Sequence, residues 1–188
     1  EKAKADALLA QIKEHPLTIA DIKIKEGKEH PPNLFDLTSI QIEANKKLGL
    51  SAEQTLNTVQ SLYEKKLVTY PRVDTAYLPK DQYPKIKGIM QGLFMYQDLV
   101  APLLQKPIKK SSKVFNDNKV TDHHAIIPTG IKANNIAGTE GAVYDMITRR
   151  FISAFYPECK VSNTTVSAKV DKFKFKATGK QILDPGWR

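Results

Sequence analysis

An α+β fold, mainly helical, is predicted for this chain: a helical part with helix-turn-helix-like elements, inserted in a small β-rich part. Three observations predict it. Apolar residues recur at helical spacing from about residue 37 to about 155, and the period falls to two after Tyr156-Pro157. A short alternating stretch near residue 20 supplies a further strand. With 188 residues, 41% hydrophobic and 26% charged, the chain has the apolar material for a core and is not a disordered tract.

Taken in order, residues 3–14 carry Ala5, Leu8, Leu9 and Ile12 at helical spacing and predict a short amphipathic helix ending before Pro16. Ile19, Ile22 and Ile24, set among charges, predict a short edge strand. Gly27 and Pro31-Pro32 break that pattern and place a boundary near residue 32. Asp36 or Thr38 caps the next helix, Thr38 and Gln41 having capping-box spacing, and Gly49 closes it. Ser51 and Gln54 repeat the box for a helix bearing Leu56, Val59, Leu62 and Tyr63 on one face. These two helices resemble a helix-turn-helix, although ordinary helix packing accounts equally well for the spacing.

Pro71 disfavours helical geometry at Tyr70, so Leu67-Val68-Thr69-Tyr70 is predicted to be extended. A helix is expected around 81–98, then a flexible basic loop over 105–122 with Lys106, Lys109, Lys110, Lys113 and Lys119. The last long helix, about 140–155, places Val143, Met146, Ile147, Phe151 and Ala154 on its inner side. Val166, Ala168 and Val170, then Phe173, Phe175 and Ala177, alternate with polar residues across Asp171-Lys172 and predict a hairpin. An isolated hairpin is marginal in water, so it is expected to pair with the strand at 19–24. The resulting division is 1–32, 33–156 and 157–188.

Lys and Arg number 29 against 20 Asp and Glu, a net charge of +9 that favours a polyanionic partner such as nucleic acid. No apolar run approaches the ~18–20 residues of a membrane-spanning helix, and the N-terminus has no signal-peptide core. The single cysteine, Cys159, excludes an internal disulfide and any multi-cysteine zinc site, and fits a reducing interior. A first residue of Glu1 suggests a piece of a longer protein.

Two segments carry candidate chemistry. In Tyr70-Pro71-Arg72 a phenol lies two residues from a guanidinium. In an extended chain both point to one side and can converge on one phosphate. The planar fork of arginine can bond two phosphate oxygens and offset the extra charge of a pentavalent transition state. A tyrosine nucleophile, with an ordinary pKa near ~10, needs positive charge or a proton acceptor nearby. Tyr70 is one of seven tyrosines, and half-buried packing is the alternative role. The second segment is Asp122-His123-His124. Adjacent side chains of an extended strand face opposite ways, so the two histidines do not chelate one metal. One imidazole can donate to a phosphate, and a plain surface pair is the alternative.

PPNLFDLTSIQ at 31–41, LYE at 62–64 followed by TYPRVD at 69–74, DHHAIIPT at 122–129, and ATGK at 177–180 with PGW at 185–187 occur in this order. In that order they resemble the type IA DNA topoisomerases, bacterial topoisomerase III in particular, over nearly the whole chain. The resemblance implies that Tyr70 attacks a phosphodiester of single-stranded DNA. A 5′-phosphotyrosine forms, a second strand passes, and the break is resealed for relaxation and decatenation. It implies that Arg72 stabilises the scissile phosphate and that His123 contacts phosphate or nearby DNA. Asp74 supports its neighbours, His124 assists, and Gln41 lies near the DNA groove, for which helix capping is an equal explanation. Val73 replaces a threonine common at that place.

Mg²⁺ in such enzymes is held by an acidic N-terminal domain. No Asp-x-Asp occurs here, so this chain is expected to hold no metal and to be an inactive fragment: the tyrosine-bearing helical domain and part of a β-rich hinge domain. The implied partners are single-stranded DNA and the missing N-terminal domain of the same protein, with no membrane. A cytoplasmic, nucleoid-associated monomer is implied. A noncatalytic single-stranded DNA-binding module is the competing reading.

Overall fold

A computed structural model describes all 188 residues and shows a mixed α+β chain of six α-helices and one three-stranded sheet. Two compact units emerge: residues 1–30 with 158–186 and 188, and residues 31–157 with 187. No helix is long and apolar enough to cross a membrane.

The first unit holds α1 (Lys2–Ile12) and strands β1 (Thr18–Glu29), β2 (Cys159–Val170) and β3 (Phe173–Asp184). The sheet order is β1-β2-β3, antiparallel throughout. Asp171 and Lys172 make the tight turn between β2 and β3, with Asp171 in the left-handed region at φ 50°. Such a residue matches the right-handed twist of a hairpin. The expected pairing of the N-terminal strand with the hairpin is present, Ile22 facing Val166 and Ile24 facing Thr164. Two expectations are corrected. β1 is a full-length strand rather than a short one, since it follows β2 along its whole length. The apolar residues of α1 form no core face: Leu8 and Leu9 are exposed and no residue of that helix is buried.

In the second unit, α2 (Leu37–Leu48) and α3 (Ala52–Glu64) precede α4 (Tyr83–Gly92), α5 (Gln97–Leu104) and α6 (Gly138–Ser153). Asp36 caps α2: its carboxylate accepts the Ser39 N–H at 2.7 Å, and the Ser39 hydroxyl accepts the Asp36 N–H at 3.1 Å. Thr38 and Gln41 therefore do not form the cap. Gly49 ends α2 in the left-handed region at φ 69°. Ser51 and Gln54 form the reciprocal box that starts α3. Ile40, Val59, Leu62, Ile86, Ile126, Ile147 and Phe151, all fully buried, fill the core.

The helix expected over 81–98 is divided, because backbone meets backbone at its middle. A Cβ on Gly92 would lie 1.9 Å from the Gly130 carbonyl oxygen. The next residue, Leu93, leaves helical geometry at ψ 65° before a 3-10 turn leads into α5. The basic segment 105–122 is a loop, but it is pinned rather than free. Val114 and Phe115 are buried, and Leu78 exchanges backbone hydrogen bonds with Val114 and Asn116 at 2.8 and 2.9 Å. Asp117 accepts the Lys80 N–H at 2.8 Å, and that bond, with the Lys80 ammonium, holds its carboxyl below the ordinary range.

Candidate active site

Two extended segments of the second unit run side by side. Thr69 N–H donates to the Ile127 carbonyl and Thr129 N–H to the Leu67 carbonyl, each at 3.0 Å, around a Val68–Pro128 bridge. Val68 and Pro128 are the non-hydrogen-bonded pair of this bridge, so the missing N–H of Pro128 costs the ladder no bond. The Thr69 hydroxyl adds a second tie, donating to the Ala125 carbonyl and accepting the Ile127 N–H, both at 3.0 Å. Ala125, Ile126, Ile127 and Pro128 are all buried. The segment is thus anchored from below, and Tyr70 is set beside His123 at its edge.

The Tyr70 and His123 rings lie 4.4 Å apart between centroids, tilted by 38°. Tyr63, from the last turn of α3, meets Tyr70 edge-on at 5.5 Å. A cavity of about 380 Å³ opens here, lined by Tyr63, Lys66, Tyr70, Asp122, His123 and His124 among others. The His124 Nδ1 lies 2.9 Å from the Ala125 carbonyl, which can only accept, so Nδ1 carries the proton and Nε2 is left for another partner. The hydroxyls of Tyr77, Tyr83, Tyr96 and Tyr156 are each engaged within the chain, with Lys119, Ile108, Asp145 and Leu99 respectively. The Tyr70 hydroxyl, half-buried at the cavity wall, is hydrogen-bonded to no group of the chain.

Beyond Tyr70 the chain keeps an in-out alternation. Pro71, Val73 and Thr75 are buried, while Arg72 and Asp74 are exposed on the other side. A tight turn, closed by Val73 N–H on the Pro71 carbonyl at 3.1 Å, puts Arg72 at its apex. Its guanidinium donates to Gln60 Oε1 at 3.0 Å, and Gln60 Nε2 donates to Glu64 at 3.0 Å. Arg72 is therefore docked on α3 and is not part of the cavity wall, which spacing within the motif could not reveal. Asp74 makes no ion pair. Gln41 is also elsewhere: its Nε2 donates to the Ala52 carbonyl at 3.0 Å and ties α2 to the start of α3. Sequence reasoning passed over Gln60 and Lys66, since neither residue type is distinctive at the end of an amphipathic helix.

No group of three or more His, Cys, Asp or Glu side chains is placed to hold a metal ion. Asp122 is the one carboxylate on the cavity wall. Mg²⁺ asks for several oxygen ligands in near-octahedral geometry, so the residues present here do not fit it.

A protein fold with a tyrosine and a histidine converging at one cavity is what these residues define, and comparison with known proteins gives it a family. A family model described as DNA topoisomerase matches residues 1–188, and the chain belongs to that family, the type IA enzymes. The chain is 40% identical over 192 residues to the DNA topoisomerase 3 of Bacillus anthracis, covering all of this chain and 26% of that protein. It is 36% identical over 186 residues to the DNA topoisomerase 3 of Bacillus subtilis (strain 168), covering 96% of this chain and again 26% of the relative. The chain thus spans about a quarter of the length of these relatives. The structure of full-length topoisomerase I from Thermotoga maritima shares the fold, with a TM-score of 0.68 at 23% identity, over 97% of this chain and 31% of that one.

Proposed function

We propose that this chain carries the nucleophile of an enzyme that cleaves and rejoins single-stranded DNA. One observation carries the reading: the half-buried Tyr70 offers an unengaged hydroxyl at a cavity wall, with an imidazole ring stacked 4.4 Å from its own. The Tyr70 oxygen attacks the phosphorus as its proton passes to water, and the departing O3′ takes up one proton from water in return. The P–O3′ bond breaks, so the 5′ phosphate becomes linked to Tyr70 and a 3′ hydroxyl leaves. Attack by that hydroxyl reverses every step, and no net bond energy is lost. A strand passed through the gap in between accounts for relaxation and decatenation.

Arg72 supplies the fixed positive charge for the scissile phosphate. To do so its guanidinium leaves Gln60, and an exposed hydrogen bond of this kind is worth only about 1 kcal/mol. His123 donates to a phosphate oxygen at the cavity mouth, His124, its Nδ1–H held by the Ala125 carbonyl, assists beside it, and Asp74 steadies the Arg72 turn. Gln41, by holding α2 to α3, keeps this helix pair in shape as a helix-turn-helix-like element along the strand. Mg²⁺ and the groups that hold it belong to other parts of the protein. The setting is a monomeric enzyme acting on chromosomal DNA in the cytoplasm, its β-rich unit serving as part of a hinge.

The test is Tyr70→Phe in the full-length protein. Removing one oxygen should abolish covalent capture of a single-stranded oligonucleotide while binding stays within about twofold. The Tyr63–Tyr70–His123 aromatic group favours a second reading, in which Tyr70 only stacks on a base of a noncatalytic binding module. Phenylalanine stacks equally well, so an unchanged covalent yield would exclude Tyr70 as nucleophile, and failure to find any adduct in the parent protein would favour the module.

A further inference from the structure

We propose that Lys66 is a phosphate-binding residue of the Tyr70 cavity, gripping the DNA backbone beside the nucleophile. The inference rests on the Tyr70 reading and adds to it a cation outside the Tyr70-to-Asp74 and Asp122-to-Thr129 motifs.

The argument starts with how α3 ends. Leu67 N–H donates to the Leu62 carbonyl at 2.9 Å and Lys66 N–H to the Tyr63 carbonyl at 2.8 Å. This pair of bonds is the Schellman closure, which needs a left-handed residue at the position Lys66 occupies. Lys66 adopts φ 61° to meet that demand. Glycine takes such a conformation without steric cost, whereas a Cβ crowds the neighbouring carbonyl. The backbone is held there from outside as well, because the Thr129 hydroxyl donates to the Lys66 carbonyl at 2.6 Å. Backbone chemistry therefore asks for glycine, and the sequence supplies a long cation.

That cation does nothing for the fold. Lys66 is exposed and makes no ion pair, in contrast to its neighbour. Lys65 is clamped by both oxygens of Glu140 at 2.7 and 2.6 Å, and with Ser61 it draws the Glu140 carboxyl below its ordinary value. Of two adjacent lysines, one is neutralised inside the chain and the other is left charged on the wall that Tyr70 and His123 share. Asp122 is on the same wall and is not paired with it. The turn demands the left-handed conformation but not a lysine, and a residue ill-suited to its backbone is kept where its side chain has work to do. A flexible ammonium with three donors suits a phosphate oxygen as a point charge.

Full-length protein carrying Lys66→Gly, Lys66→Ala or Lys66→Arg tests this by titration with a labelled single-stranded oligonucleotide across a salt series. Losing one phosphate contact should reduce the steepness of log K against log salt by about 0.7. Affinity at low salt should fall roughly five- to tenfold in the glycine and alanine variants, and arginine should keep both values near the parent. A merely structural role is separated by melting: the glycine variant should unfold at a higher temperature than the parent, and the alanine variant should not. A glycine variant with the parent's slope and affinity overturns the proposal. If Tyr70→Phe loses its adduct in the same assay while the Lys66 slope is unchanged, only the Lys66 inference fails. If Tyr70→Phe still captures DNA, the nucleophile reading fails, and the salt slope continues to decide Lys66.

Discussion

Arg150 shows how a single side chain can serve several distant parts of the chain. From α6 it hydrogen-bonds the Asn33 carbonyl at 3.0 Å, pairs with the Glu43 carboxylate of α2, and lays its guanidinium 4.1 Å from the Phe35 ring. Burial raises the Glu43 carboxyl, but the Lys47 hydrogen bond and the Arg150 charge outweigh it and hold the group below its ordinary value. A carboxylate with a lowered folded value adds stability that is complete above its unfolded pKa of about 4.3 and is lost as pH falls through the folded value. Glu43→Gln should therefore cost about 1–2 kcal/mol at neutral pH, after allowance for partial exposure, and should flatten the acid limb of stability. Urea midpoints measured between pH 3 and pH 7 check both; a variant with the parent's acid limb would assign the pH dependence elsewhere.

At the level of elements, Gly92, the last residue of α4, and Gly130, just past the 123–129 segment, set how closely these two stretches pack. Gly92 and Gly130 let two backbones touch, and Gly130 itself is left-handed at φ 83°. This contact fixes the chain just after the 123–129 segment, on which the candidate site depends. Gly92→Ala drives a methyl group into a carbonyl that has no side-chain freedom with which to yield. The expected loss is about 1–3 kcal/mol, the range for overpacking. Chemical denaturation of the parent and variant measures it, and an alanine variant of equal stability would mean that the α4 end can shift at no cost. The 105–122 segment belongs to the same scale. Its lysines gave a basic, loop-like reading, while Val114 and Phe115, too short a pair to register as a period, anchor it in the core.

For the whole molecule, the decisive quantity is how much of the enzyme this chain represents. It spans about a quarter of its relatives, and its cavity offers one carboxylate where a divalent cation needs several ligands. The 188-residue chain with Mg²⁺ is therefore expected to bind single strands through its charge of +9 and to leave a supercoiled plasmid unrelaxed. Agarose gel mobility of the plasmid reads this directly, and relaxed topoisomers from the purified chain would show that the catalytic groups are complete here. The three strands and the mixed α+β class were legible from periodicity, because alternation and helical spacing are properties of neighbouring residues; that β2 rather than β3 lies beside β1 was not. Also legible were the Ser51 box, the Gly49 stop and the turn at Asp171-Lys172, each of which is a matter of local hydrogen bonds and φ.

What the amino-acid order determined unaided was thus the punctuation of the chain and the pair of segments that offer its candidate chemistry. Tertiary structure alone decided what those segments face. It set Tyr70 against His123, docked Arg72 on Gln60, sent Gln41 to the Ala52 carbonyl and split the helix at Gly92. It also placed Lys66, with no glycine to announce the turn, in a left-handed cap beside the cavity. The physical reason is reach. A cap or a hairpin turn is closed by atoms a few residues away, whereas each of these placements is settled by a partner brought close only by burial of the shared core.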